Sequence, residues 1–247
     1  MSLATRIIPS LLMNGRQLIK GVAFQGWRSV GLVEQATSIH SLRGVDELLM
    51  LDIAATREGR TPDLELIEEL SSACFMPLSV GGGVRTVDDV ENLLRNGADK
   101  VVIGTAAHEV PWLVNEAARI FGRQAIVVAL DTKCGHWWIR NGAVDTLWDI
   151  GGAAELVCGL GAGEILLTNI ELDGTLNGYD LFTLKKVASR VPIPVIAAGG
   201  CGTYQHMQAA VRAGASAVAA GSMFQWTDAT PQGAAQYLNQ QDIEVRL

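Results

Sequence analysis

Pro77-Leu78-Ser79-Val80-Gly81-Gly82-Gly83-Val84-Arg85-Thr86 and Pro194-Val195-Ile196-Ala197-Ala198-Gly199-Gly200-Cys201-Gly202-Thr203 are two versions of one stretch, set 117 residues apart. Each reads as a short apolar run, a Gly-Gly turn, and a threonine placed to cap a following helix. The same offset holds beyond them. Gly97-Ala98 meets Gly214-Ala215, Gly104-Thr105 meets Gly221-Ser222, Glu47 meets Glu164 and Asp63 meets Asp180. A unit this long is a duplicated half-domain rather than a solenoid repeat. Gly-rich turns expose backbone N–H groups and suit anions. Two copies facing one another predict a ligand with two phosphates.

Outward from these stretches, apolar runs alternate with amphipathic segments. The runs predicted as strands are Arg6–Leu12, Glu47–Asp52, Pro77–Val80, Lys100–Ile103, Ala125–Leu130, Glu164–Asn169, Val195–Ala198 and Ala217–Ala220. Their composition is that of parallel strands buried on both faces. Helix patterns include Asp63–Ala73, Val87–Asn96, Pro111–Phe121, Asp180–Ser189 and Tyr204–Ala213. Thr86 and Thr203 stand where N-caps belong, and Asn96-Gly97 and Ala213-Gly214 stop the helices that follow. Eight β/α units predict an α/β fold, a (β/α)8 TIM barrel over 1–247, with half-barrels of about 1–122 and 123–247. That fold puts its active site at the C-terminal ends of the strands, where every Gly-rich turn falls.

The bulk numbers narrow the function. With 49% hydrophobic residues the chain can build a large core, and a net charge of −7 without a basic cluster argues against nucleic acid. The longest apolar runs, such as Gln124–Leu130, are strand-length, so no membrane span is expected. Met1–Ser10 lacks the apolar core of a secretion signal. Cys74, Cys134, Cys158 and Cys201 have no CxxC spacing and read as reduced cytoplasmic thiols that fill the core, or in Cys201's case as a small turn residue. His40, His108, His136 and His206 are scattered without metal-ligand spacing, so neither a metal nor a cofactor is expected. Arg6, Glu47, Lys100 and Glu164 each open a strand that is otherwise apolar. At a barrel floor they can form a ring of two cations and two anions, tolerable out of water only when mutually paired. A structural salt-bridge plug and a gate are both open readings of that ring.

Several segments match one family together. They are Arg6-Ile7-Ile8-Pro9, Ile19-Lys20-Gly21, Asp46-Glu47-Leu48, Val80-Gly81-Gly82-Gly83, Gly97-Ala98-Asp99-Lys100, Gly161–Thr168, Asp173-Gly174-Thr175, Gly178-Tyr179-Asp180 and Val245-Arg246-Leu247. In this ordered set the chain resembles the cyclase subunit of imidazole glycerol phosphate synthase, HisF, from about Ala4 to Leu247. The resemblance implies a HisH-like glutaminase partner at the N-terminal face. It implies ammonia passing along the barrel axis, with Arg6, Glu47, Lys100 and Glu164 as the gate and Asp46 and Asp99 at the interface. It implies phosphate contacts at Gly82, Gly83 and Thr105 in the first half, and at Asp173, Gly174, Gly199, Gly200, Gly221 and Ser222 in the second. Lys20, on the loop after strand 1, is a further anion contact or a solvated lysine.

At the top the chain departs from the family pattern. Family cyclases carry an aspartate at the end of strand 1 and another at the end of strand 5, which divide the proton-transfer roles. The second is present as Asp131. At the first, the family's Cys-Leu-Asp-Val is replaced by Ser10-Leu11-Leu12-Met13, which puts Leu12 at the aspartate position. Leucine moves no proton, and nearby Asn14 cannot do so at neutral pH. Gly104 stands for the family's Asn, Ala198 for its Ser, and the loop Thr132–Trp148 is short. Trp137 and Trp138 are expected on a strand pair over the barrel mouth, and Trp27 on the strand-1 loop as a lid or a partner contact.

Three readings follow. The first is an ammonia conduit without cyclase activity, like the paralogues that feed a sugar amidotransferase making acetamidino groups for surface polysaccharide. The second is a genuine histidine-pathway cyclase with an unusual strand-1 end. The third is a non-conducting activator of the glutaminase.

Overall fold

The computed structural model describes residues 4–246, so Leu247 of the terminal segment lies outside the described residues. Eight parallel strands close a barrel: β1 (Arg6–Asn14), β2 (Leu48–Asp52), β3 (Leu78–Gly81), β4 (Lys100–Ile103), β5 (Ile126–Lys133), β6 (Glu164–Asn169), β7 (Val195–Ala198) and β8 (Ala217–Ala220). They pair in chain order. β8 returns to β1 through Arg6↔Ala217, and β5 meets β6 through Leu166↔Ala129, so no barrel edge is left open.

The apolar runs become strands because both faces find cover. One set of side chains points outward under the helices, among them Ile7, Met50, Val80, Val128 and Val218. The alternate set fills the barrel, with Ile8, Leu49, Val102, Val127, Leu166 and Ile196 in one inner cluster. The helix ends are set by local chemistry. Thr86 accepts the Asp89 N–H at 3.1 Å, and Asp89 accepts back from the Thr86 N–H at 2.9 Å, a reciprocal capping box. Thr203 caps Tyr204–Arg212 through the His206 N–H, and Asp63 caps Leu64–Ser72.

The connection after β1 differs from the loop expected there, while that after β5 holds the strand pair expected for Trp137 and Trp138. After β1, Gln17–Val22 and Gln25–Leu32 form an antiparallel hairpin, with Leu12↔Ile19 in register. Strand 1 therefore runs two residues past Leu12, and Lys20 and Trp27 sit on strands, not on a loop. After β5, His136–Ile139 and Val144–Asp149 form the equivalent hairpin, with Asp131↔Trp138. Trp137 and Trp138 thus lie on a strand pair over the mouth, and Trp137 is fully buried with its ring edge-on to His108 at 5.2 Å. At the start of β5, Ala125 belongs to a 3-10 turn (Arg123–Ala125), and Glu47 lies one residue before β2. Cys201 is buried, but Cys134 is exposed in the turn between β5 and His136 and fills no core. Among the described residues, no helix is long and apolar enough to cross a membrane.

Candidate functional site

The site has a floor and a mouth. At the floor, Arg6, Glu47, Lys100 and Glu164 come together from the starts of four strands. Arg6 Nη1 donates to Glu47 Oε2 at 2.5 Å and Arg6 Nη2 to Glu164 Oε2 at 2.7 Å. Lys100 Nζ donates to Glu47 Oε2 and to Glu164 Oε1, both at 2.8 Å. Cations and anions therefore alternate in a closed ring. Ser79, which sequence reasoning passed over, adds its hydroxyl to Glu47 Oε1 at 2.6 Å. Burial alone raises the Glu164 carboxyl; the hydrogen bond and charge of Arg6, with Lys100, outweigh it and hold Glu164 below the usual carboxylate range. Asp46 and Asp99 lie beside the ring. Their carboxylates accept the Ile7 N–H at 3.0 Å and the Leu78 N–H at 2.8 Å, which ties each to the adjacent strand.

Above the ring sits the inner apolar cluster, and Leu49, Val102 and Leu166 of that cluster also line a cavity of about 840 Å³ open at the C-terminal face. Aliphatic side chains thus lie between the charged floor and the mouth. The cavity brings together both glycine turns, Leu12, Lys20, Asp131 and Asp173. Leu12 lines this cavity together with Asp131, with a side chain that offers neither proton nor lone pair.

The two turns are built alike. Gly83 has φ +63°, and a Cβ on it would lie 1.8 Å from the Arg60 carbonyl oxygen. Gly200 has φ +97°, and its Cβ would lie 2.1 Å from the Gly178 carbonyl oxygen. Only glycine fits a left-handed backbone pressed this closely on a neighbour. The first turn is further shaped by Asp52, whose buried carboxylate accepts from the Ala54 and Ala55 N–H groups and from Arg60 Nη1 at 2.6 Å. A carboxylate at a strand end followed by an arginine eight residues on was the only sequence signal for that pair. The second hairpin reaches the loops after β2 and β4: the Arg140 N–H donates to Thr105 Oγ1 at 3.0 Å, and Asn141 Nδ2 to the Ile53 carbonyl at 2.5 Å.

Lys20 is no solvated lysine. It is 4% exposed, and its Nζ donates to the Ser10 carbonyl at 3.2 Å, over Gly221. Burial lowers its pKa to about 8, against the pull of the Asp173 charge. Asp131 faces the cavity below the rim, where poor solvation first and the Asp173 charge second push its pKa up to about 7. Asp173 is raised to about 6 by burial, which Lys20 and the Gly174 N–H partly offset. A carboxyl near neutrality beside a second carboxyl and an amine can take up or release a proton.

Fold and site define the class: a (β/α)8 barrel with a half-barrel repeat, a charged axial floor and paired glycine turns at its mouth. Residues 6–230 match the model of the histidine biosynthesis protein family, and the chain belongs to that family. Among curated proteins it is similar to imidazole glycerol phosphate synthase subunit HisF of Bacillus cereus strain AH187, at 43% identity over 251 aligned residues, covering 99% of this chain and 100% of that protein. The same subunit from strains Q1 and G9842 is 43% and 42% identical with the same coverage. The chain is HisF-like over its full length.

Proposed function

We propose that the chain is the barrel subunit of a cytoplasmic glutamine amidotransferase, conducting ammonia from a HisH-like glutaminase at its N-terminal face to the C-terminal mouth. The ammonia is used by an amidotransferase that converts an N-acetylated sugar to its acetamidino form, and the barrel's own cyclase chemistry is lost. One observation carries this reading: the charged floor is complete, while Leu12 stands where the proton-transferring carboxylate belongs. A non-conducting scaffold has no need of a charged ring on the barrel axis, and a cyclase without one of two acid/base groups is slower by about 10²–10⁴-fold. Asp46 and Asp99, at the floor's edge, form part of the glutaminase interface. The glycine turns remain a site for a phosphate-bearing ligand.

A second reading, a genuine imidazole glycerol phosphate synthase cyclase, is favoured by Asp131. Its pKa of about 7 suits proton transfer, and Asp173 and Lys20 stand in the same cavity. The test is cyclase turnover of the phosphoribulosyl substrate with saturating ammonium chloride, which removes any need for a glutaminase. The expected result is no turnover by the parent chain and a measurable gain in Leu12→Asp. Robust turnover by the parent chain establishes the second reading instead. In the complex, Lys100→Met that left ammonia delivery untouched would favour the non-conducting activator.

A further inference from the structure

We infer that Leu147, Trp148, Leu181 and Phe182 form a shoulder beside the barrel mouth on which the ammonia-consuming enzyme docks. This rests on the conduit reading and deepens it, because it gives the consumer a surface on this chain.

The second hairpin is irregular where the shoulder begins. His136 pairs with Asp149 and Trp138 with Asp145, so Trp137 alone faces Thr146, Leu147 and Trp148. Such a bulge bends a strand and re-aims its side chains. Side chains fix this one in place. Thr146 Oγ1 donates to the Trp137 carbonyl at 2.7 Å, and Asp145 Oδ1 accepts the Leu147 N–H at 2.8 Å. At the apex Leu147 has φ +61°, a left-handed backbone that costs energy for a residue with a Cβ. The leucine so placed reaches no core and is 76% exposed, and Trp148 beside it is exposed as well. Strain that buries nothing in the chain itself points to a contact outside it.

The next β/α unit extends the surface. Its helix, Leu181–Ala188, starts at the mouth end, where the N-cap Asp180 accepts from the Asn169 amide of β6 at 2.9 Å. Phe182 in the first turn is 82% exposed, with Leu181 exposed next to it. Lys186, one turn further along the same helix face, pairs with Asp149, the residue after Trp148. That ion pair ties the two segments together. Single exposed apolar residues are ordinary on a protein surface, whereas a group of them marks an interaction site.

Position identifies the occupant. Among the described residues, only Leu42 and Phe75 are large apolar side chains more exposed than Phe182 and Leu147. Leu42 and Phe75 lie in the connections that lead into β2 and β3, at the floor end. The most exposed apolar groups thus mark both ends of the axis, as a conduit with one partner at each end requires. The floor end is the glutaminase side, which leaves the mouth end to the consumer. The hairpin that carries Leu147 and Trp148 also walls the cavity through Trp138, Ile139 and Asn141. A protein seated on the shoulder therefore stands at the cavity's edge. Ammonia that escapes into neutral water takes up a proton and stops being a nucleophile, so a consumer docked there receives it while it is still reactive.

The probe is the purified amidotransferase of the same organism that forms the acetamidino sugar, and its binding to the full chain is measured by biolayer interferometry. Leu147→Ser and Phe182→Ser are each expected to weaken it about tenfold to a hundredfold, the range for truncated apolar anchors. Leu42→Ser removes an exposed leucine at the opposite end and is expected to leave it unchanged. With the glutaminase present, the two shoulder variants are expected to lose glutamine-driven amidination about tenfold. They keep amidination driven by saturating ammonium chloride, which bypasses the conduit. Affinity within about threefold of the parent in both shoulder variants overturns the inference; glutamine-driven amidination that persists in them leaves the conduit reading standing. A parent chain that sediments as a dimer, and as a monomer in Leu147→Ser and Phe182→Ser, gives the shoulder to a second copy and also overturns it. If the parent binds no probe and the complex shows no glutamine-driven amidination, with a cooperative thermal melt proving the chain folded, the conduit reading and the inference fall together.

Discussion

Lys100→Met tests whether the barrel floor is one coupled unit. The substitution keeps the length of the side chain and removes its charge. Lys100 Nζ gives two hydrogen bonds of 2.8 Å, one to each glutamate, and is 15% exposed, while Glu47 and Glu164 are 2% and 12% exposed. Removal leaves Glu47 with Arg6 and Ser79, but leaves Glu164 with Arg6 alone. A buried pair broken on one side costs about 3–5 kcal/mol because an uncompensated charge stays behind. The residual exposure at the floor lowers this to about 2–4 kcal/mol, which for a chain of this size is roughly 5–15 °C in melting temperature.

The pH dependence adds a second readout. In the parent protein Glu164 is held below the usual carboxylate range, so its contribution is present above the unfolded pKa and lost as pH falls through the folded one. In Lys100→Met that depression weakens, so the gap between parent and variant is widest near pH 7 and closes toward pH 3. Equilibrium urea unfolding at both pH values measures it. Lys100→Met/Glu164→Gln leaves Arg6 and Glu47 as a matched pair, so the double variant is expected to lose less than the two single losses combined. A single-variant cost below about 1 kcal/mol, or strict additivity, refutes the coupled ring.

Three further perturbations have defined outcomes. Asp131→Asn removes a carboxyl whose folded pKa of about 7 lies above its ordinary value, so the folded state loses stability as pH rises from about 4 through 7. The variant is expected to be more stable than the parent by about 4 kcal/mol at pH 7.5 and equal to it near pH 3.5, measured by urea titration; no gain at pH 7.5 means the carboxylate is well solvated. Trp137→Ala empties a fully buried position against His108 and should cost about 3–5 kcal/mol; a melting temperature lowered by less than about 4 °C contradicts the packing. Gly83→Ala forces a methyl to within 1.8 Å of the Arg60 carbonyl at φ +63° and should prevent soluble folding or shift the first turn, read by thermal melting and by loss of phosphate binding; near-parent behaviour in both assays means the turn is not under this constraint.

The parts legible in the sequence were those whose signal is local or repeated. Val195–Ala198 and Ala217–Ala220 are strands at the bounds the sequence predicted, because a fully buried strand shows as an unbroken apolar run between turn residues. The ring at the floor was legible because four charges each break an apolar strand at its start. The hairpin strand Gln25–Leu32 was not legible, since its burial pattern is almost wholly exposed and no apolar alternation marks it. Lys20 shows why that mattered. Its residue type argues for solvent, and only the hairpin that folds back on β1 carries it under the rim beside Asp173. The arginines that line the cavity beside the first turn were hidden for a related reason. Arg57, Arg85 and Arg140 come from three connections far apart in the chain, and each alone reads as a surface arginine. The duplication then supplies the contrast that separates them: the same glycines recur 117 residues later without their cations, so the charge belongs to one turn and not to the shared scaffold.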